Sequence, residues 1–224
     1  MTIGATTAQM NISRFGEDGI RIIFGEKIDP EIHEKVRNFY FYMKFLELPE
    51  IIDLTPSFRS CLIHFNTERT SFLRLSELLQ EKEDEALRPG NTPEPVRHEI
   101  PVHYGGPDAL DMKVVCRQTG LTEQEVIAIH SAVSYTVFAV GFIPGFPYMG
   151  TLDSRIHVPR LETPRSRIAA GSVGIAQGQT GVYPFASPAG WRIIGRTDVC
   201  FFHPEKEPYS LLQIGDRVKF VQTP

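Results

Sequence analysis

GFIPGFPYMG (Gly141–Gly150), RIHVPR (Arg155–Arg160) and AAGSVGIAQGQTGVYPFASPAGW (Ala169–Trp191) form the densest part of this 224-residue chain. Glycine recurs there at positions 145, 150, 171, 174, 178, 181 and 190, interleaved with Phe, Tyr, Pro and the only tryptophan, Trp191. Glycine leaves room for a ligand, a neighbouring ring or a tight corner. Two readings follow from it. One is a small, tightly turned β-barrel with glycine at its corners and aromatics in its core; the other is a surface built for close approach by something else.

Charge favours adding the second reading to the first. Between Lys113 and Lys206 there is no lysine, and Arg117, Arg155, Arg160, Arg165, Arg167, Arg192 and Arg196 carry every full positive charge. The planar guanidinium suits bidentate contact with carboxylate or phosphate and stacks on aromatic faces. The stretch therefore reads as an anion or amide site lined with aromatics. For any single arginine, a rim ion pair with Asp153, Glu162 or Asp198 is the ordinary role.

Outward from this stretch, short β runs punctuated by Gly and Pro continue the barrel or sandwich pattern: SYTVFAVGF from Ser134, WRIIGRT from Trp191 and DRVKFV from Asp216. Upstream, HEIPVHYGG (His98–Gly106) reads as a strand closing into a turn. Two helices are expected over 108–119 and 122–132, the second with a Thr122/Glu125 capping box. RPGNTPEP (Arg88–Pro95) is the linker candidate, since a packed element rarely tolerates three prolines so close together.

Ahead of the linker, a loose start leads into a strand at IRIIFG (Ile20–Gly25). Asp29 and Pro30 open an amphipathic helix whose face is Ile32, Val36, Phe39, Met43 and Leu46, stopped at Leu48-Pro49. Strands follow at 50–57 and 60–66. A second helix is capped by Thr70 or Ser71 and buries Phe72, Leu75, Leu78 and Leu79, and EKEDE (Glu81–Glu85) ends it as a solvated face. Strand, helix, two strands, helix is most of a ferredoxin-like plan. His64 is read as a hydrogen-bonded structural histidine.

The net charge of −4 without a basic block disfavours nucleic-acid binding. Cys61, Cys116 and Cys200 lie far apart, so neither a disulfide framework nor a metal site is expected, and a reducing cytoplasm fits. No run reaches 18 apolar residues, and neither a membrane span nor a signal peptide is expected. GQTG (Gly178–Gly181) is the nearest approach to a phosphate-cradling turn, there is no P-loop, and no Ser, Cys or carboxylate nucleophile stands out.

GFIPGFPYMG, LDSRIHVPRLETPR, AGSVGIAQGQTGVYP and SPAGWRIIGRT, with GEKIDPEIHEKV, SFRSCLIHFN, HYGG and LLQIGDRVKF, resemble the allophanate hydrolase subunit 1 family. That family takes in subunits of ATP-dependent 5-oxoprolinases and inhibitors of sporulation sensor histidine kinases. The sequence departs from it at Ala189, where glycine is usual, and at Asn66, where aspartate is usual.

The resemblance implies an α+β chain, with a ferredoxin-like domain over 1–92 and a cyclophilin-like β-barrel over 93–224. It implies ATP as cofactor, a homologous-barrel partner of the allophanate hydrolase subunit 2 type, and a LamB-like third subunit. The implied activity is ATP-dependent opening of 5-oxoproline, with carboxyltransferase or urea-metabolising chemistry as the variant. On this reading Arg155, Arg160 and Arg165 hold carboxylate or phosphate, and Arg196 is a further ligand-binding candidate. Gln177, Gln179 and Thr180 bond an amide or carbonyl, and Phe146, Tyr148, Tyr183 and Trp191 form walls. Phe142, Pro144 and Phe146 would anchor a partner protein if the chain is instead a regulatory module. A regulatory module that docks a kinase domain and a purely structural subunit are the two other functional classes open at this point.

Overall fold

NISRF is polar enough to pass for a loose start, yet Asn11–Phe15 is a strand (β1), paired antiparallel with Gly19–Ile23 (β2) in the register Asn11↔Ile23 to Phe15↔Gly19. Its residues stay largely exposed, which is why no apolar run announces it. The computed structural model describes residues 10–90 and 92–223; the first nine residues of the expected loose start lie outside them. The chain forms two compact units that divide at Glu94/Pro95.

In the first unit, Pro30–Leu46 (α1) starts where Asp29 accepts the Glu31 amide at 2.8 Å, and it buries Val36, Phe39 and Met43. It ends one residue before Leu48-Pro49, at Glu47 in the left-handed region with φ 45°. Ile51–Pro56 (β3), Ser60–Phe65 (β4) and Phe72–Glu81 (α2) follow, with Ser71 rather than Thr70 capping α2.

The EKEDE run does more than end α2. It leads into a further turn of helix, Glu83–Ala86 (α3), whose Ala86 is buried and whose Glu83 carboxylate accepts the Met10 amide at 2.6 Å. The strands form one antiparallel sheet in the order β1-β2-β4-β3. Ile20, Ile22, Cys61 and Ile63 pack under Phe39, Met43, Leu75 and Leu79 of the helices. His64 lies on the exposed side, 2.6 Å from Asp18, and that bond holds the Asp18 carboxyl below its usual range.

The second unit opens with Arg97–Tyr104 (β5) and the helices Met112–Thr119 (α4) and Glu123–Ala132 (α5). Thr122 and Glu125 form the expected reciprocal cap, at 2.8 and 3.3 Å. Ser134–Val140 (β6), Pro147–Gly150 (β7), Arg165–Ile168 (β8), Ser172–Ala176 (β9), Gln179–Val182 (β10), Ser187–Ala189 (β11), Arg192–Arg196 (β12) and Arg217–Gln222 (β13) complete it.

Seven of these strands close a barrel in the order β10-β7-β6-β13-β5-β12-β9, while β11 and β8 form a separate ribbon. Closure is made by β13, which runs parallel to β5 from Arg217↔Arg97 to Gln222↔Val102 and antiparallel to β6. β7, β8 and β11 are short strands that no run in the sequence announces.

His130 of α5 is fully buried among barrel residues and stacks on Phe220 with ring centroids 4.7 Å apart. Thr180 Oγ1 donates to the Gly174 carbonyl at 3.1 Å, so it accepts from His130 Nε2 at 2.8 Å. That leaves His130 Nδ1 to accept from the Tyr104 hydroxyl at 2.6 Å. The result is a directed polar chain through the barrel core with every member satisfied.

Candidate functional site

Phe146 is buried at the start of β7 and organises a set of rings that meet edge to face. Tyr148 and Tyr183 lie 4.9 Å from its centroid, Trp191 5.5 Å and Phe142 5.8 Å, at interplanar angles of 66–84°. The glycines explain how strands can carry so many rings. A Cβ on Gly181 would stand 2.8 Å from Phe146 Cζ and from the Pro147 carbonyl oxygen, and one on Gly174 would stand 3.2 Å from Trp191 Cβ. Bare backbone on β9 and β10 thus seats the chain's own aromatics rather than a ligand.

The rings line a cleft of about 330 Å³ together with Leu161, Pro164 and Pro188–Gly190. Arg160 is the charged residue of this lining. Its guanidinium sits 5.8 Å from the Trp191 ring centroid, is exposed, and has no ion-pair partner among the described residues. Burial pushes the Tyr183 hydroxyl up to about 12 and raises that of Tyr148, against the opposing pull of Arg160. Both phenols are therefore protonated donors at neutral pH. Phe142 stands at the rim, 64% exposed, with φ 72°, a left-handed conformation that is costly for a bulky residue.

The structure gathers Arg160, Phe146, Tyr148, Tyr183 and Trp191 at one place and sends the other expected site residues elsewhere. Arg155 is committed to Asp153 by two bonds of 3.0 and 2.8 Å, which bring that carboxyl down to about 2. Arg165 forks onto buried Asp111 at 2.8 and 2.9 Å. Arg196 bonds the Ala170 carbonyl and faces Asp108 and Asp198, both at 3.7 Å.

Gln177 occupies the β9–β10 turn at φ 52°, and Gln179 pairs opposite Ala176. Thr180 faces the barrel core. GQTG is for the most part strand β10, its backbone laddered to β9 and touching β7, so it is no phosphate cradle. Pro144 is exposed on the turn beside Phe142 but does not line the cleft. Sequence reading missed Asp111 and His130, whose burial and partners have no local signature.

A nucleoside triphosphate needs several cations or free amides and carboxylates for its Mg²⁺. The cleft offers one guanidinium, and among the described residues no group of three or more His, Cys, Asp or Glu converges to hold a metal. The residues that gather here do not fit ATP.

The sequence matches the family described as carboxyltransferase domain, subdomain C and D, over residues 10–212. It is 41% identical to the B subunit of 5-oxoprolinase from Escherichia coli O157:H7, covering 80% of this chain and 81% of that one. It is 35% identical to the protein of the same name from Bacillus subtilis (strain 168), covering 96% and 94%. The crystal structure of TTHA0988 superposes with a TM-score of 0.81 at 32% identity over 92% of this chain, which spans only 40% of the TTHA0988 chain. With matches that run through both units and nearly the full length of its curated relatives, the chain belongs to the carboxyltransferase subdomain C and D family, together with the 5-oxoprolinase B subunits.

Proposed function

We propose that the chain is the B subunit of an ATP-dependent 5-oxoprolinase and that its aromatic cleft receives the lactam. The observation that carries this reading is Arg160: an exposed guanidinium without an ion-pair partner among the described residues, over Trp191, in a lining otherwise made of rings, aliphatics and prolines. A five-membered lactam bearing one carboxylate suits such a box. Its ring lies against Phe146 and Trp191 and its carboxylate meets Arg160, while the Tyr148 and Tyr183 phenols stay protonated in the wall.

An unactivated lactam is a poor electrophile, and phosphorylation of its amide oxygen by ATP makes hydrolysis to glutamate feasible. Since the cleft does not fit the triphosphate, ATP belongs on the rest of the complex: a homologous-barrel partner of the allophanate hydrolase subunit 2 type, with a LamB-like third subunit. TTHA0988, a longer chain of which the match to this protein covers 40%, supports such an association. What this chain supplies is binding, orientation and exclusion of water.

The second unit is read as a cyclophilin-like barrel over 93–224, supported by its closed seven-stranded sheet. The first, over 1–92, is read as ferredoxin-like, with the edge strand drawn from the start of the chain. The order β1-β2-β4-β3 supports this, because β1 takes the place that the plan gives to its last strand. No helix among the described residues is long and apolar enough to cross a membrane; the assembly is proposed to work in the cytoplasm.

The test is ATP hydrolysis by the chain with and without its partner subunit, with and without 5-oxoproline. The expected result is stimulation by 5-oxoproline only when both are present, and a KM for 5-oxoproline raised about tenfold or more by Arg160→Ala. A verified complex that shows no stimulation overturns the reading. The exposed Phe142 at the cleft mouth then favours a second one, in which the cleft docks a protein segment such as a sensor-kinase domain.

A further inference from the structure

Asp111 occupies the N-cap position of α4 without capping it. An aspartate there ordinarily accepts from its own helix, but this carboxylate, 2% exposed, is turned toward the barrel. It accepts the Ile193 amide at 2.8 Å and both Arg165 Nη atoms at 2.8 and 2.9 Å, with Arg192 Nη1 at 3.5 Å. The Asp111 amide returns a bond to the Ile193 carbonyl at 2.8 Å. One buried carboxylate thus gathers two guanidiniums, one directly following Pro164 and one directly following Trp191 of the cleft lining.

Both guanidiniums meet the segment 157–164, HVPRLETP, which has no helix or strand of its own and carries Arg160, Leu161 and Pro164. Arg192 Nε donates to the Pro159 carbonyl at 3.3 Å, directly before Arg160. Leu161 donates to the Gly190 carbonyl at 2.8 Å, directly after it. Arg165 follows Pro164 and is fixed by the carboxylate itself. On the facing side, Ile193 lies two residues beyond Trp191, the ring on which Arg160 rests.

We infer that Asp111 is a positioning residue: through Arg165 and Arg192 it pins both ends of the 159–165 segment against β12, and so holds the Arg160 guanidinium over Trp191 at the cleft. This rests on the cleft reading above. Two guanidiniums against one carboxylate also leave a positive excess beside the cleft, which favours an anionic ligand.

The test is steady-state kinetics with 5-oxoproline on the complex of the chain with its partner, for Arg160→Ala, Asp111→Asn and the double variant, with thermal melts alongside. The expected result is that Asp111→Asn raises KM about tenfold with a smaller change in kcat, and adds less than about twofold on top of Arg160→Ala, because a misplaced guanidinium does no more than an absent one. A double variant whose KM effect equals the product of the two single effects overturns the inference, since a merely structural loss multiplies. An unchanged KM in Asp111→Asn overturns it too.

If Arg160→Ala raises KM and Asp111→Asn does not, only the positioning role falls. If Arg160→Ala leaves KM unchanged, the cleft reading falls, and the inference with it. Should Asp111→Asn not fold, Arg165→Gln cuts the bidentate bridge from the more exposed side, with the same pattern of KM effects expected and the same outcomes decisive.

Discussion

Gly181 shows how little space a ring-lined cleft leaves for one methyl group. A Cβ there would stand 2.8 Å from both Phe146 Cζ and the Pro147 carbonyl oxygen, and the second of these is backbone that cannot swing away. At Gly174 the contacts are 3.2–3.4 Å and all to side chains. Gly181→Ala is therefore expected to cost on the order of 1–3 kcal/mol and Gly174→Ala distinctly less. Urea midpoints of the two variants check the order, and equal costs would refute the account. The arginines teach a related lesson: seven of them lie between Lys113 and Lys206, and what separates Arg160 from Arg165 is a carboxylate 54 residues away in sequence. Residue type told which chemistry was available, but not which guanidinium was already taken.

At the scale of elements, the cap of α5 is the feature with the clearest leverage, because that helix carries His130 into the barrel. Thr122→Ala removes the acceptor of the Glu125 amide and is expected to lower stability by about 1 kcal/mol, read as a reduced urea midpoint with unchanged slope. Elements with local signatures were legible from sequence: Asp29-Pro30 opened α1, the Thr122/Glu125 pair opened α5, and β-branched runs marked β2, β6, β12 and β13. β1 was not, because its side chains remain half wet and show no apolar alternation. β7, β8 and β11 span three or four residues each and exist only through their partners, so periodicity had nothing to act on. The aromatics of the cleft were legible for the opposite reason: they crowd onto neighbouring short strands, and crowding survives errors of boundary. Asp111 reads from sequence as part of a helix, since nothing local distinguishes a capping aspartate from one turned away.

For the whole molecule, the buried polar chain Tyr104–His130–Thr180 sets a dependence on acidity. Burial lowers the His130 pKa from about 6.5 to about 3, so the unfolded chain takes up a proton that the folded barrel refuses. The unfolded state then binds more protons than the native one, and stability falls as pH drops from about 6.5 toward 3, by up to about 1.4 kcal/mol per pH unit. Above about 6.5 this group contributes no slope. Denaturant midpoints from pH 7.5 to 4.5 should show the decline in the parent chain and lose it in His130→Gln; a slope that persists in the variant would assign it to other groups. Finally, the one tryptophan belongs to the second compact unit, where it is 4% exposed among rings. Indole emission consequently reports the packing of the rings in that unit, whereas far-ultraviolet dichroism sums the secondary structure of both units. Melting curves recorded by the two signals amount to a separate clock for each half of the chain: if they coincide, the halves unfold as one, and if they part, the gap measures how independently each holds together.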